Sequence, residues 1–186
     1  MLSDVEVRDV GARGVGVFAR RAFVPSEFIF RRRHGRIVRN VDIPRLPADE
    51  QRHLCELDFE TSAVLLPPGC YLNHSCQPNA MRSGVKVFAW QPIAPGVEIT
   101  IDYRLNALDD ESIWCCLCGA PSCTGTVVGS FFALPVRLQH EYLRFAPRFI
   151  QREFRARHGT ASHPSAARLT VPAIGTEQRP DRQADR

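Results

Sequence analysis

The stretch CCLCGAPSC at residues 115–123 places Cys116, Cys118 and Cys123 at Cys-x-Cys-x4-Cys spacing among glycine, proline and serine. A small buried cysteine needs apolar neighbours, and this run offers few, so the spacing points to metal ligation. A structural zinc site takes four ligands in a tetrahedron, and the run supplies three. Cys115 directly precedes a ligand, and adjacent cysteines rarely both bind one tetrahedral ion without strain. The fourth ligand must therefore come from elsewhere in the fold. The best-placed thiol is Cys76, in YLNHSCQPNA at 71–80. With Cys76 as that ligand, the fold has to bring these two stretches together, which constrains it more than any local pattern.

The total of seven cysteines is odd, and MLSDVEVRDV lacks the basic-then-apolar pattern of an export signal. Reduced thiols are therefore expected rather than a disulfide framework. No apolar run reaches the roughly 18 residues that a membrane span needs. A cytoplasmic location is expected, or a nuclear one in a eukaryote, with no membrane partner. At 186 residues, 44% hydrophobic and 24% charged, the chain reads as one globular domain with a true core. The charge is uneven. Residues 137–186 hold ten arginines and five acids (+5), whereas residues 1–136 hold fourteen basic and fifteen acidic residues (−1). The main body is thus no nucleic-acid footprint, and nucleic acid is not required for its chemistry. The arginine run at 31–33 and the C-terminal arm can touch nucleic acid or an acidic partner, but such runs are usually solvated.

VEVRDV and VGVFA, separated by a glycine turn, read as a hairpin. EFIFRRR, GVKVFAW and VEITIDY are further strands, rich in β-branched and aromatic residues. One short mid-chain helix is expected from about Ala48, with Asp49 and Glu50 in its first turn. From Phe131 to Arg157 the spacing turns helical, with Leu134, Leu138, Tyr142, Phe145 and Phe149 on one stripe and a break at Pro147. Residues 159–186 have few large apolar groups and read as disordered. The expected architecture is mainly β with a few helices, an α+β fold of small sheets followed by C-terminal helices.

His74 and Cys76, two residues apart, also admit a second reading as general base and nucleophile of a cysteine hydrolase. A zinc-bound thiolate is no free nucleophile, however, and no third orienting residue stands out.

Four blocks, RGVGVFA (13–19), YLNHSCQPN (71–79), VEITIDY (97–103) and CLCGAPSCTG (116–125), resemble in order the signature blocks of SET-domain lysine methyltransferases with a post-SET zinc loop. The resemblance covers about residues 5–126. It implies a SET domain over 1–107, a post-SET loop over 108–130, a helical extension over 131–158 and a tail over 159–186. It also implies a pseudoknot in which the chain threads a loop, against ordinary connection rules. The implied activity is methyl transfer from S-adenosylmethionine to a lysine amine of a protein substrate. By the same resemblance, Gly14, Val15, Gly16, Asn73 and His74 hold the cofactor. Tyr103 stands at the transfer centre, Ile101 and Tyr71 line the substrate channel, and Cys76 joins Cys116, Cys118 and Cys123 on zinc. Glycines at 14 and 16 would let backbone approach a ligand closely.

Ile101 occupies a position where the family commonly has phenylalanine or tyrosine. It has no hydroxyl to hold a crowding water, so more than monomethylation is expected. Cys70 replaces a residue that is often large and basic, and the three tyrosines leave a sparse hydroxyl cage. These departures keep open the alternative of a catalytically inactive, zinc-stabilised SET-like protein-binding module. The acidic stretches ELDFE (56–60) and DDE (109–111) can attract a basic peptide, a histone or another basic protein with an accessible lysine. A monomer or weak dimer is expected.

Overall fold

The computed structural model describes residues 4–108 and 112–159. The acidic stretch 109–111, and the tail beyond residue 159 that reads as disordered, lie outside the described residues. The first hairpin pairs β1 (Val5–Asp9) with β2 (Val15–Ala19), Val7 opposite Val17. Its turn closes through Gly14, whose φ of +76° suits a residue without a Cβ. β3 (Phe28–Arg31) continues almost directly into β4 (Arg33–Arg39), then comes helix α1 (Ala48–Gln51), placed where its acidic first turn predicts. The sequence reading did not extend to β5 (Leu54–Glu56) or β6 (Thr61–Leu66), which pair with each other and with β4 in a three-stranded sheet. There Ser62, Ala63 and Val64 are all buried, so the inside–outside alternation that marks a half-buried strand is missing.

A second three-stranded sheet has the order β3, β9 (Lys86–Ala89), β8 (Ala80–Ser83). The segment that positions the site is β7 (Asn73–His74), which pairs in parallel with β10 (Thr100–Ile101). VEITIDY is thus a much shorter ladder strand than expected. Its N-terminal part instead lies along β2, with Ile99 N–H donating to Val17 O (2.7 Å) and Ala19 N–H to Val97 O (3.0 Å). Asn79 pins the same segment from the other side. Its amide donates to Glu98 O (2.8 Å) and accepts from Thr100 N–H (2.9 Å). Val17, Leu72, Ile93, Ile99 and Ile101 form the centre of the first core beneath this crossing.

The cysteine run sits on a small antiparallel hairpin, β11 (Ile113–Cys115) and β12 (Thr126–Val128). The C-terminal stripe folds as two helices, α2 (Val136–Tyr142) and α3 (Arg148–His158), separated at Pro147 as its chemistry dictates. Ser130 caps a preceding 3-10 turn, accepting from Phe132 N–H. Phe131, Leu134, Tyr142, Phe149, Ile150 and Phe154 bury together against Met81 and Leu105 as a second core, so the extension is packed onto the β-sheet body. Burying side chains of this size contributes about 1.5–3 kcal/mol each. Among the described residues no helix is long and apolar enough to cross a membrane.

Candidate active site and metal centre

Tyr103 follows the β10 ladder after Asp102 and opens a 3-10 turn over Tyr103–Asn106. The turn is fixed by Asp102, 1% exposed. Its carboxylate accepts from Arg104 N–H (3.0 Å) and takes the guanidinium in a fork at 2.9 and 2.6 Å. Tyr103 donates its hydroxyl to Leu72 O (2.7 Å), which leaves the oxygen lone pairs free to accept. The residue is 39% exposed, yet that exposure is onto two cavities and not onto a flat surface. Enclosure of the phenol, with the Glu98 carboxylate acting in the same direction, pushes its pKa up to about 12.

The larger cavity, about 310 Å3, has Ile101, Cys70, Leu72, Arg32 and Glu56 in its wall. The smaller, about 210 Å3, is lined by Ala12, Arg13, Asn73, His74 and the cysteine run from Cys115 to Cys118. Both include Tyr103 and Trp114, so these two rings form the partition between them. Trp114 also stands edge-on to His74 at 5.8 Å. The sequence reading missed Trp114, whose only signal is its place directly before the cysteine run.

Asn73 and His74 fall in the smaller cavity as expected. Gly14, Val15 and Gly16 do not line it, while the preceding Ala12 and Arg13 do. The glycines act otherwise. A Cβ on Gly16 would meet Glu98 Oε1 at 2.5 Å and Asn73 Nδ2 at 3.2 Å, so Gly16 makes room for the chain's own side chains. Glu98 there accepts from Asn73 Nδ2 (2.8 Å) and pairs with Arg13 (2.8 Å), joining hairpin, NHSC block and VEITIDY in one polar network. Glu98 was not singled out from sequence, although it alternates with buried Ile99 on the strand. Tyr71 also departs from expectation. Its ring is half-buried, packs on the first core and stands edge-on to His53 at 5.8 Å, behind the wall of the larger cavity. Its neighbours Cys70 and Leu72 are the residues that reach that wall, and burial raises the Cys70 thiol pKa. Of the acidic stretch at 56–60, Glu56 borders the cavity. Asp58 instead caps a turn, accepting from Glu60 N–H and from Thr61, and these bonds lower its pKa.

His74 is held neutral. Its Nδ1 accepts from Tyr103 N–H (3.2 Å), so the ring proton sits on Nε2, which meets Cys76 Sγ at 3.3 Å. Burial lowers its pKa, more than Asp102, 3.6 Å away and already paired with Arg104, restores it. A ring that donates to the thiol has no free nitrogen to take the thiol's proton, which removes the hydrolase reading.

The Sγ atoms of Cys76, Cys116, Cys118 and Cys123 all lie within 4.8 Å of one another, with Cys76 and Cys116 at 4.0 Å. A Zn–S bond of about 2.3 Å gives a tetrahedral edge of about 3.8 Å, so four thiolates could close on zinc with small shifts. Backbone N–H groups point at the sulfurs, Cys76 N at Cys118 Sγ (3.5 Å) and Gly125 N at Cys123 Sγ (3.3 Å). Although burial opposes it, backbone N–H donors at Cys76 and Ala120, with the Cys116 and Cys123 thiols, draw the Cys118 pKa down to about 6. Burial and the neighbouring thiolates push Cys76 up and Cys116 up to about 11, since negative charges this close need a cation. The donor set fits zinc. Cys115 is exposed and outside the cluster.

The SET-domain family model matches residues 14–104. The chain is 40% identical over 86 residues to the histone-lysine N-methyltransferase SETD1 of Drosophila melanogaster, covering 40% of this chain and 5% of that protein. It is 36% identical over 77 residues to SETMAR of Mus musculus, covering 30% and 25%, and 28% identical over 138 residues to the H3 lysine-36 specific enzyme of Candida albicans, covering 65% and 16%. The chain thus spans a quarter or less of these curated relatives. The methyltransferase domain of human SETMAR superposes with a TM-score of 0.53 at 21% identity, covering 68% of this chain and 58% of that one, which is a likeness of fold. Family match, fold and the ordered convergence of the hairpin, NHSC and Asp-Tyr segments agree, and residues 14–104 of this chain are a SET domain.

Proposed function

We propose that the chain transfers methyl groups from S-adenosylmethionine to the side-chain amine of a lysine in a protein substrate. The observation that carries this reading is the meeting of two cavities of different character at one tyrosine, Tyr103, whose hydroxyl is held by Leu72 O. The smaller offers an amide at Asn73, the Trp114 ring and the Arg13 guanidinium, which fit an adenosine and an amino-acid carboxylate. S-adenosylmethionine supplies an electrophilic methyl on a positively charged sulfur. The larger cavity, walled beside Tyr103 by Ile101 and Leu72, suits the aliphatic stem of a lysine.

A phenol with a pKa of about 12 stays protonated at neutral pH, so Tyr103 is not the base. Its hydroxyl, locked by donation to Leu72 O, orients the amine through its lone pairs and holds it at attack distance. The lysine must arrive neutral; the apolar wall at Ile101 and Leu72 and the Arg32 cation disfavour its ammonium form, while the Glu56 carboxylate in the same cavity works the other way. The complete Tyr103 arrangement argues against the inactive-module alternative. Residues 112–130 act as a post-SET loop whose three thiolates, joined by Cys76 of the NHSC block, would hold zinc and keep Trp114 and Leu117 over the cofactor cavity. His74, donating to Cys76, ties that centre to the active site. The helices over 131–158 serve as a packing extension. The curated relatives are named as histone-lysine methyltransferases, and a basic protein such as a histone is the proposed substrate class.

Radiolabelled methyl transfer from S-adenosylmethionine into histones and whole-cell lysate, with Tyr103→Phe alongside, tests this. Label on discrete bands that fades with the variant supports the reading. Absence of label from folded, zinc-loaded protein would sink it.

A further inference from the structure

Exposed arginines in this molecule are commonly matched to carboxylates. Arg21 pairs with Asp4 and Glu27, Arg36 with Glu50, and Arg39 and Arg45 share Asp42. Arg31, Arg33, Arg52 and Arg144 are exposed and also without a carboxylate among the described residues, but they are scattered over other segments, whereas helix α3 gathers three. Arg148, Arg152 and Arg155 are exposed and, among the described residues, pair with no carboxylate. Their spacing of i, i+4 and i+7 places them on one face, spread over about 10 Å at 1.5 Å per residue. Phe149, Ile150 and Phe154 on the opposite face are buried in the second core, so the helix cannot roll its arginines inward. The neighbouring acid on the helix, Glu153, is taken by Arg157 at 2.8 Å.

We propose that this arginine stripe binds the phosphate backbone of nucleic acid without reading its sequence. Three features of the face select that partner. Guanidinium forks match phosphate oxygens in geometry. The stripe carries no exposed aromatic or large aliphatic side chain, whereas a docked protein needs a desolvated apolar anchor at the centre of its contact. The charge is also local. Residues 1–136 sum to −1, so general basicity of the chain is not its source. The solvated-run reading of the C-terminal arm therefore gives way on α3 to a fixed cationic strip on a packed scaffold. The strip would hold the protein on a nucleic-acid-bound target independently of methyl transfer.

The test is fluorescence anisotropy of a labelled mixed-sequence DNA duplex with the full chain across a salt series. The native protein is compared with the triple variant Arg148→Gln, Arg152→Gln, Arg155→Gln, and polyglutamate is added as competitor. The expected result is a linear fall of log affinity with log salt, whose slope loses about 2.7 in the variant, about 0.9 for each phosphate contact removed. Circular dichroism and methyl-transfer activity should be unchanged, because none of the three arginines touches either cavity. No binding, or an unchanged slope in the variant, overturns the proposal. Polyglutamate displaced by the same mutations and competing as well as DNA at equal charge would also overturn it, in favour of an acidic protein.

Discussion

Where β7 pairs with β10, Leu72, Ile99, Ile101 and Asp102 are each 5% exposed or less, and the turn that follows is closed by the Asp102 carboxylate. In the cysteine hairpin that faces it, Ile113 and Leu117 are 66% and 58% exposed, and Val127 is the one aliphatic side chain that is fully inside. The crossing is held by a core that the chain makes for itself. The hairpin offers little apolar surface of its own and carries three of the four clustered thiols. The proposed active site thus has one wall, carrying Tyr103, held by the core, and another, carrying Trp114, that the proposed zinc would hold. Rigidity lies where the amine must be aligned, and the conditional part lies over the proposed cofactor cavity.

The comparison is most severely tested by removing the metal. Structural zinc contributes roughly 10–16 kcal/mol in small metal-folded modules, so chelation should strip hydrogen-exchange protection from residues 112–130 and abolish S-adenosylmethionine binding. Protection at β2, β7 and β10 should persist. Collapse of both regions together would show that the crossing is not self-sufficient. Within the rigid wall, Tyr103→Phe should lower methyl transfer by about 100- to 1000-fold, the usual cost of one oriented hydroxyl at a reacting centre. Cofactor affinity and zinc content should stay unchanged, and a parallel loss of affinity would mean that the tyrosine acts mainly by shaping the partition.

A third test concerns the cost of the crossing's own neighbourhood. Arg82 is 4% exposed, with Nε and one terminal nitrogen lacking partners, and burial lowers its pKa to about 10. Replacing such a charge by an apolar side chain of similar volume is often stabilising, so Arg82→Met should raise stability by about 1–3 kcal/mol in denaturant melts. A loss of that size would instead reveal a role for the guanidinium in the core.

The smallest effect is in the alkaline range. The folded Tyr103 pKa, about 12, lies above the unfolded value near 10, so the unfolded chain loses this proton first. The contribution is complete below about pH 10 and is lost as pH rises from there through about 12. Ultraviolet titration of the native protein should show two phenols near pH 12, Tyr103 and Tyr142, and Tyr103→Phe should remove one of them. A component that vanishes near pH 10 would mean that the phenol is open to bulk water.

The sequence by itself determined the chemistry of the pieces. The Cys-x-Cys-x4-Cys run and NHSC motif were legible because thiol ligation depends on residue type and short spacing. The helix near Ala48, the Pro147 break and the apolar stripe of the C-terminal helices were legible for a similar reason, since caps, proline and 3.6-residue periodicity act locally. Strands β5, β6 and β8 were not read, because strand pairing is non-local and fully buried stretches such as Ser62–Val64 lose the alternation that marks a strand. The site was half legible. Tyr103, Asn73, His74 and the four cysteines were named from ordered motifs, and the structure brings all of them together around one junction. Only the tertiary structure decided that Gly16 yields its space to Glu98 and that Tyr71 sits behind His53. It alone made Trp114 the shared wall of the two cavities. Those facts depend on which side chain enters the gap left by another segment far away in sequence, and close packing in three dimensions decides that.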